Sequence, residues 1–337
     1  MQREWLELHA AIACAASAVG KKETEGPLGK KFDLCDTTDR FGAKTWEAAE
    51  SEMQRMAFNT AMAKAGVKDC DIGALFAGDL LNQCIGSAYG LLSFAVPYFG
   101  LYGACSTCAE GLMLASVMTT GGFYPLCGVV TSSHYCAAER QYRTPIEYGA
   151  QRPPTAQWTV TGAGAFLVGD TRHYPAARAG ICRALPGRVI EKGVSDAGNM
   201  GAAMAPAAQD TLIRFFRATD ASPSEYDLIV TGDLGFEGGE ILCDLMRFGG
   251  IDIADRYTDC GQLIYHRKEQ DVHSGGSGCG CSAVVLASHL LPLVEQGTLR
   301  TILFVATGAM MSPDSIKQGN AIPAVAHLLE IEHKNQS

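Results

Sequence analysis

The sequence predicts a duplicated α/β fold, and three observations predict it. Short motifs recur in the same order in the two halves of the chain. Each copy reads strand, glycine-rich turn, helix, strand. Across 337 residues, 47% hydrophobic and 19% charged side chains are enough to bury a sizeable core and too few charges for a disordered chain.

The first repeated element is a β-rich run that ends in Gly-Asp. It reads GALFAGDL at Gly73–Leu80 and YDLIVTGDL at Tyr226–Leu234, which sets Asp79 and Asp233 154 positions apart. A glycine-rich turn opening an apolar helix follows: GACSTCAEGLMLAS at Gly103–Ser116 and GGSGCGCSAVVLAS at Gly275–Ser288, offset by 172. The third element is a strand, LCGVVTSS at Leu126–Ser133 and TILFVATGA at Thr301–Ala309, with Thr131 and Thr307 offset by 176. Ordered matches with slowly growing offsets argue for a duplicated unit with extra loop residues in the second copy. Strand–helix alternation predicts a largely parallel sheet with helices on its faces. Leu112, Met113, Leu114 and Val117 give the helix after Cys105 a broad apolar face, which predicts burial between two sheets. Residues Trp158–Gly169 (WTVTGAGAFLVG) read as a strand pair closing the first half. The Gly-, Ala- and Arg-rich stretch Asp170–Asp220 reads as irregular and holds the boundary near Arg172–Ala179, giving halves 1–175 and 176–337.

Composition narrows the function classes. A net charge of -9 with no Lys/Arg run argues against a nucleic-acid partner. Arg3, Glu4 and Glu7 interrupt the apolar N-terminal stretch, which does not read as a signal peptide. Thirteen cysteines, odd in number, read as reduced and mostly buried in a cytoplasmic protein. Neither Cys105/Cys108 nor Cys279/Cys281 is completed to four zinc ligands, so no metal and no cofactor is expected. A redox motif at Cys105–Cys108 is the weaker reading. Between Leu80 and Ala138 the one charged residue is Glu110, yet Asn82, Gln83, Pro97, Pro125 and many glycines break the run. A buried core explains it better than a membrane span, and any membrane association is expected to be peripheral.

Cys105 is the leading candidate for chemistry. It sits between an apolar run and a helix, flanked by Ala104, Ser106 and Thr107. A helix N-terminus is expected to favour its thiolate. The alternative is a buried structural cysteine like the rest.

The strand, Gly-Ala-Cys-Ser-Thr, helix arrangement resembles the nucleophile turn of the thiolase and ketoacyl synthase superfamily. TVTGAGAFLV at Thr159–Val168 is similar to that superfamily's Gly-Ala hairpin, and SGGSGCGCSA at Ser274–Ala283 to its C-terminal glycine-rich loop. The resemblance covers roughly residues 71–332 and implies a thiolase-like fold with a layered α-β-α-β-α core. It also implies where catalytic partners would stand. The histidine position falls at Val230-Thr231-Gly232-Asp233, which holds no histidine, and the asparagine position falls at Asp259. A carboxylate there would repel an oxyanion and oppose a thiolate. His266 and His273 lie close enough in sequence for a small register shift to bring either one in.

A fuller set of segments resembles a thiolase-like family of stage V sporulation proteins of endospore formers. These include KETEGPLGKKFD at Lys22–Asp33, AGDLLNQ at Ala77–Gln83, FGLYGACST at Phe99–Thr107, EYGAQRP at Glu147–Pro153 and MAPAAQDT at Met204–Thr211. That resemblance implies a non-catalytic protein binding dipicolinic acid (pyridine-2,6-dicarboxylate), alone or as its calcium chelate. It further implies uptake into the spore with other proteins of an inner-membrane complex, while the thiolase-like resemblance implies a homodimer. For such a flat dianion, Cys105, Ser106, Asn82, His134, Arg140, Asp259, His273, Gly276 and Ser277 are the candidate lining, with Arg143 beside them. Arg140 and Arg143 read equally well as partners of Glu139 or Glu147, and Asp79 and Asp233 as caps of loop backbone. The alternative function is an acyltransferase or condensing enzyme that uses Cys105 as its nucleophile. A third is a scaffold whose pocket is vestigial.

Overall fold

The computed structural model describes residues 4–142 and 152–335. Its strands are β1 (Leu6–Val19), β2 (Leu34–Cys35), β3 (Ala74–Gly78), β4 (Tyr98–Gly100), β5 (Leu126–Ser133), β6 (Trp158–Thr159) and β7 (Gly162–Asp170) in the first half. In the second half they are β8 (Ala179–Leu185), β9 (Leu228–Thr231), β10 (Tyr257–Asp259), β11 (Gly276–Ser277), β12 (Thr301–Ala309) and β13 (Ala324–His333).

The duplication is visible in the strand order. One half runs β4-β3-β5-β7-β1 and the other β10-β9-β12-β13-β8. Each has a parallel trio, β4-β3-β5 or β10-β9-β12, extended by two antiparallel strands. The halves join where β1 pairs antiparallel with β8, so one sheet runs through both. The expected largely parallel sheet is therefore mixed. The strand–helix alternation of the repeat covers the trio, while β1, β7, β8 and β13 lie outside it.

Two further expectations change. Trp158–Gly169 is not a hairpin: β6 leaves the main sheet and pairs in parallel with β11 of the second glycine-rich turn, Trp158 with Gly276 and Thr159 with Ser277. Residues 170–220 are not irregular, since they contain β8 and the helix Met200–Thr219. Asn199 caps that helix by accepting from the Ala202 N–H at 3.2 Å.

Helices form the outer and middle layers. The Trp46–Ala65 helix starts at Thr45, whose hydroxyl accepts from Ala48 N–H, and stops at Gly66 in the left-handed region (φ 68°). It buries Ala49, Met53, Ala57, Phe58 and Ala61, at spacings of four, four, one and three, against β1, β5 and β7. Met200–Thr219 and Gly235–Phe248 cover the other half. Between the halves run Thr107–Thr120 and Cys279–Val285, and their side chains fill the largest core cluster together with strand residues of both halves. Leu114 departs from the expected apolar face and points outward, 37% exposed.

Small residues make the middle layer thin. A Cβ on Gly164 would lie 2.6 Å from the Ala283 Cβ, and one on Gly280 2.3 Å from the Gly162 carbonyl. The Gly-Ala segment and the second glycine-rich turn are thus two faces of one close contact.

Candidate functional site

The two glycine-rich turns meet where the parallel strands of both halves end, the place where such sheets carry ligands. Cys105 lies in a single 3-10 turn, Ala104–Ser106, that leads into the Thr107–Thr120 helix. Ala104 holds φ at 51°, an unfavourable value for a residue with a Cβ. The turn is pinned from within, Thr107 Oγ1 donating to the Ala104 carbonyl at 2.6 Å and accepting from Gly103 N–H at 3.1 Å. It is also pinned by β12, where a Cβ on Gly308 would lie 2.4 Å from the Gly103 carbonyl.

The residue facing the thiol is Asp233, fully buried after β9. Its Oδ2 accepts from the Ser277 hydroxyl at 3.1 Å and from Gly278 N–H at 2.9 Å. Its Oδ1 accepts from the Thr307 hydroxyl at 2.9 Å. The buried Cys105 thiol lies near enough to the same carboxylate to feel its charge. Burial first, and then the Asp233 charge, push the Cys105 thiol well above its ordinary range. This reverses the expectation that the helix N-terminus makes a thiolate. One helix end is too weak to offset loss of water plus an adjacent carboxylate.

Asp259 does other work than the sequence suggested. Its carboxylate accepts from the Leu234, Gly235 and Gly261 N–H groups at 2.8–2.9 Å and from Thr231 Oγ1 at 2.6 Å. It holds the backbone that presents Asp233. Burial raises it to about 7, with the Asp233 charge adding to the rise.

A cavity of about 220 Å³ opens onto Cys105. Its polar wall is Cys105, Ser277, Gln157, Thr159, Glu139 and Tyr142; Leu80, Pro153, Met200, Ala309 and Met311 supply much of the apolar remainder. Among the described residues that line it there is no histidine, arginine or lysine.

The structure therefore brings together two of the predicted residues, Cys105 and Ser277, and disperses the others. Ser106 is buried beside them, but its N–H and hydroxyl are both spent on the Gly103 carbonyl. Gly276 contributes its carbonyl to Gln157 and its backbone to the β6–β11 pair. His134 is buried elsewhere, against Trp46, with Nε2 on the Asp39 carbonyl. Arg140 pairs with Glu47 and shares a separate groove with Asn82. His273 contacts the Pro153 carbonyl and Asp271. His266 is exposed, its N–H held by Gln270. Arg143 and Glu147 lie outside the described residues. Asp79 keeps the capping role expected of it, accepting from Leu81 N–H and from the Ser87 N–H and hydroxyl.

Sequence reasoning missed Gln157, Glu139 and Tyr142, and read Asp233 as a cap. The repeat did carry a signal for Asp233: its counterpart Asp79 ends the equivalent strand.

This architecture defines a thiolase-like protein. Solved structures with the same fold include cerulenin-bound OleA of Xanthomonas campestris (TM-score 0.62, 16% identity, covering 98% of this chain and 99% of that one). Another is the 3-oxoacyl-(acyl carrier protein) synthase III of Xanthomonas oryzae pv. oryzae (TM-score 0.59, 17% identity, covering 96% and 99%). Within that fold class the chain belongs to the stage V sporulation protein AD (SpoVAD) family, whose profile matches residues 1–332. It is 42% identical over 316 residues to stage V sporulation protein AD of Bacillus subtilis (strain 168), covering 94% of this chain and 92% of the relative.

Proposed function

We propose that this sporulation-family protein binds dipicolinic acid in the Cys105 cavity for uptake into the spore, and does not condense acyl groups. The observation that carries the reading is the burial of Cys105 beside the buried Asp233 carboxylate: loss of water and that charge both push the thiol up, away from the anion. A condensing enzyme needs that sulfur as an anion, with imidazole or amide partners to move protons and hold an oxyanion. The apolar wall and short polar edge suit a flat ring. Calorimetry with pyridine-2,6-dicarboxylate, with and without calcium, tests it. Saturable heat that disappears in Ala156→Trp, which fills the cavity, is the expected result; no heat at millimolar ligand in either condition sinks the reading.

Pairing into a homodimer belongs to the same proposal. Tyr89, Leu92, Tyr98, Phe99 and Tyr102 are 40–76% exposed around β4, an edge strand. Such a patch on an open edge fits a second copy; a sedimentation mass of one chain would refute it. No helix among the described residues is long and apolar enough to cross a membrane. With a net charge of -9, contact with inner-membrane proteins is favoured over anionic lipid.

One feature favours acyl transfer as a second reading: Cys105 lies at a helix start and opens on a cavity. It requires acylation of Cys105 by an acyl-CoA, which intact-mass measurement would detect.

A further inference from the structure

Two walls of the Cys105 cavity are held in unequal ways, and the duplication brings out the difference. β5 and β12 are counterparts, and each runs into a segment that lines the cavity. After β5 comes the helix Tyr135–Tyr142, which buries Ala137 and Ala138 and gives the cavity Ala138, Glu139 and Tyr142. It is tied to its surroundings by several side chains. The Tyr142 hydroxyl donates to the Leu80 carbonyl at 2.8 Å, Gln141 Oε1 accepts from Asn82 N–H at 3.1 Å, and Glu139 accepts from the Thr159 hydroxyl at 2.9 Å. After β12 comes a loop that leaves and returns at one point, where Met310 N–H donates to the Pro323 carbonyl at 2.7 Å. It lines the cavity through Met311. Its short helix, Pro313–Lys317, buries no residue. Residues 312–321 bond to one another: Ile316 N–H donates to the Ser312 carbonyl at 3.2 Å and Asn320 N–H to the Ser315 carbonyl at 3.1 Å. Among the described residues no hydrogen bond or ion pair joins them to the rest of the chain. Two partly buried side chains, Met311 and Ile316, pack the loop onto the core of the second half. A segment with so few ties to the body belongs to the part of a fold that opens first.

Resting on the reading of this cavity as the ligand site, we propose that residues 311–321 are its movable wall, a gate that swings about Met310 and Ile322 to admit the ligand while the Tyr135–Tyr142 helix stays in place. Both pivots are fixed. Met310 continues β12 and is bonded to Pro323, and Ile322 is buried with its N–H on the Val194 carbonyl at 2.7 Å. Between them, outward movement withdraws Met311 from the wall and breaks no hydrogen bond from residues 312–321 to the body. Apolar contact alone resists it, and the unbranched methionine side chain repacks readily when the segment moves. The lip at Ala197 and Gly198 is anchored, since the Thr155 hydroxyl donates to the Gly198 carbonyl at 2.9 Å. One wall moves against fixed neighbours, which is the arrangement of a loop that gates a site.

Hydrogen exchange and thiol labelling of the full chain test the gate without dipicolinate, so this inference and the ligand assignment fail separately. The peptide covering residues 312–321 should exchange roughly tenfold or more faster than the one covering 135–142; equal protection overturns the gate. Ile316 is not among the residues lining the cavity, so Ile316→Ala loosens the loop without reshaping the pocket. It should raise the rate at which N-ethylmaleimide labels Cys105 by about threefold or more, with the exposed Cys35 and Cys70 unchanged. A Cys105 rate equal to that of the wild type puts the entrance elsewhere and overturns the inference, as does failure of Cys105 to label in either form. If that variant does not fold, the wild type decides. Labelling should then speed exchange in residues 312–321 and leave 135–142 unchanged, with Cys105→Ser carried through the same treatment as the control, and any other pattern overturns the gate.

Discussion

The two glycine-rich turns are counterparts, yet they occupy one site in different roles. Ser277 stands at the offset of 172 from Cys105, the same offset that relates Leu-Ala-Ser in the two helices. Ser277 donates to the Asp233 carboxylate, and the charge of that carboxylate acts on the Cys105 thiol. The aspartates that end the first strand of each copy diverge in the same way. Asp79 stays within its own loop, on Leu81 and Ser87. Asp233 collects donors from two other elements of the second half, the Ser277–Gly278 turn and β12, and its charge acts on Cys105 of the first half. Duplication thus supplied equivalent residues, and docking of the halves made one of them the centre of the site.

The sharpest way to break this contrast is to remove the aspartates in turn. Asp233→Ala strands several buried donors at once and should cost roughly 3 kcal/mol or more in urea unfolding. The milder pair, Asp233→Asn and Asp79→Asn, separates the roles. In the wild type, Cys105 should be alkylated by iodoacetamide far more slowly than the exposed Cys35 and Cys70, as read by peptide mass spectrometry. Asp233→Asn removes the opposing charge and should raise the Cys105 rate at pH 8 at least tenfold; Asp79→Asn should leave it unchanged. Equal effects would mean that the two aspartates are not functionally distinct.

The contact between the Gly-Ala strand and the second turn comes next. Gly280→Ala puts a methyl 2.3 Å from the Gly162 carbonyl and 2.6 Å from the Ser133 hydroxyl. About 1–3 kcal/mol of destabilisation is expected, and thermal unfolding within error of wild type would show that the halves can move apart there.

Glu23 gives a pH effect from the segment that fastens the N-terminal region to the second half. It is fully buried, with Tyr265 OH and Thr161 N–H donating to it. Burial raises it from 4.5 to about 7. The native state therefore favours the protonated acid. That contribution is complete below about pH 4.5 and is lost as pH rises through about 7. Glu23→Gln should flatten the stability profile across that window in denaturation at several pH values; an unchanged slope would assign the pH dependence to other groups.

The smallest effect is reserved for a residue that the sequence placed in the site and the fold did not. Arg140 is half-exposed and paired with Glu47. Arg140→Ala should change stability by less than about 0.5 kcal/mol and leave dipicolinate heats unaltered. A large loss of binding would restore it to the ligand's surroundings.

The architecture was legible because it repeats. Gly-Asp at strand ends, glycine-rich turns and Leu-Ala-Ser recur in order, and each match fell on an equivalent element. The long β1, its partner β8 and the Met200–Thr219 helix were not legible, for they lie outside the repeated motifs. The site was half legible. Cys105 and Ser277 announce themselves through small neighbours at turns, whereas Gln157 sits just before a two-residue strand with no pattern of its own. His134 and Arg140 looked like ligand residues because they follow a strand end, and a strand end does not say which way a side chain turns.

By itself the sequence determined the duplicated α/β plan, the cysteine at the head of a buried helix and the absence of histidine at residues 230–233. These are properties of local order and residue type. The state of that cysteine was decided only by the tertiary structure, because the pKa of a thiol depends on which charge and how much water lie within a few ångströms. Asp233 is 128 positions from Cys105 in the chain, and no spacing rule connects them. The docking of two half-domains brings the carboxylate near the sulfur.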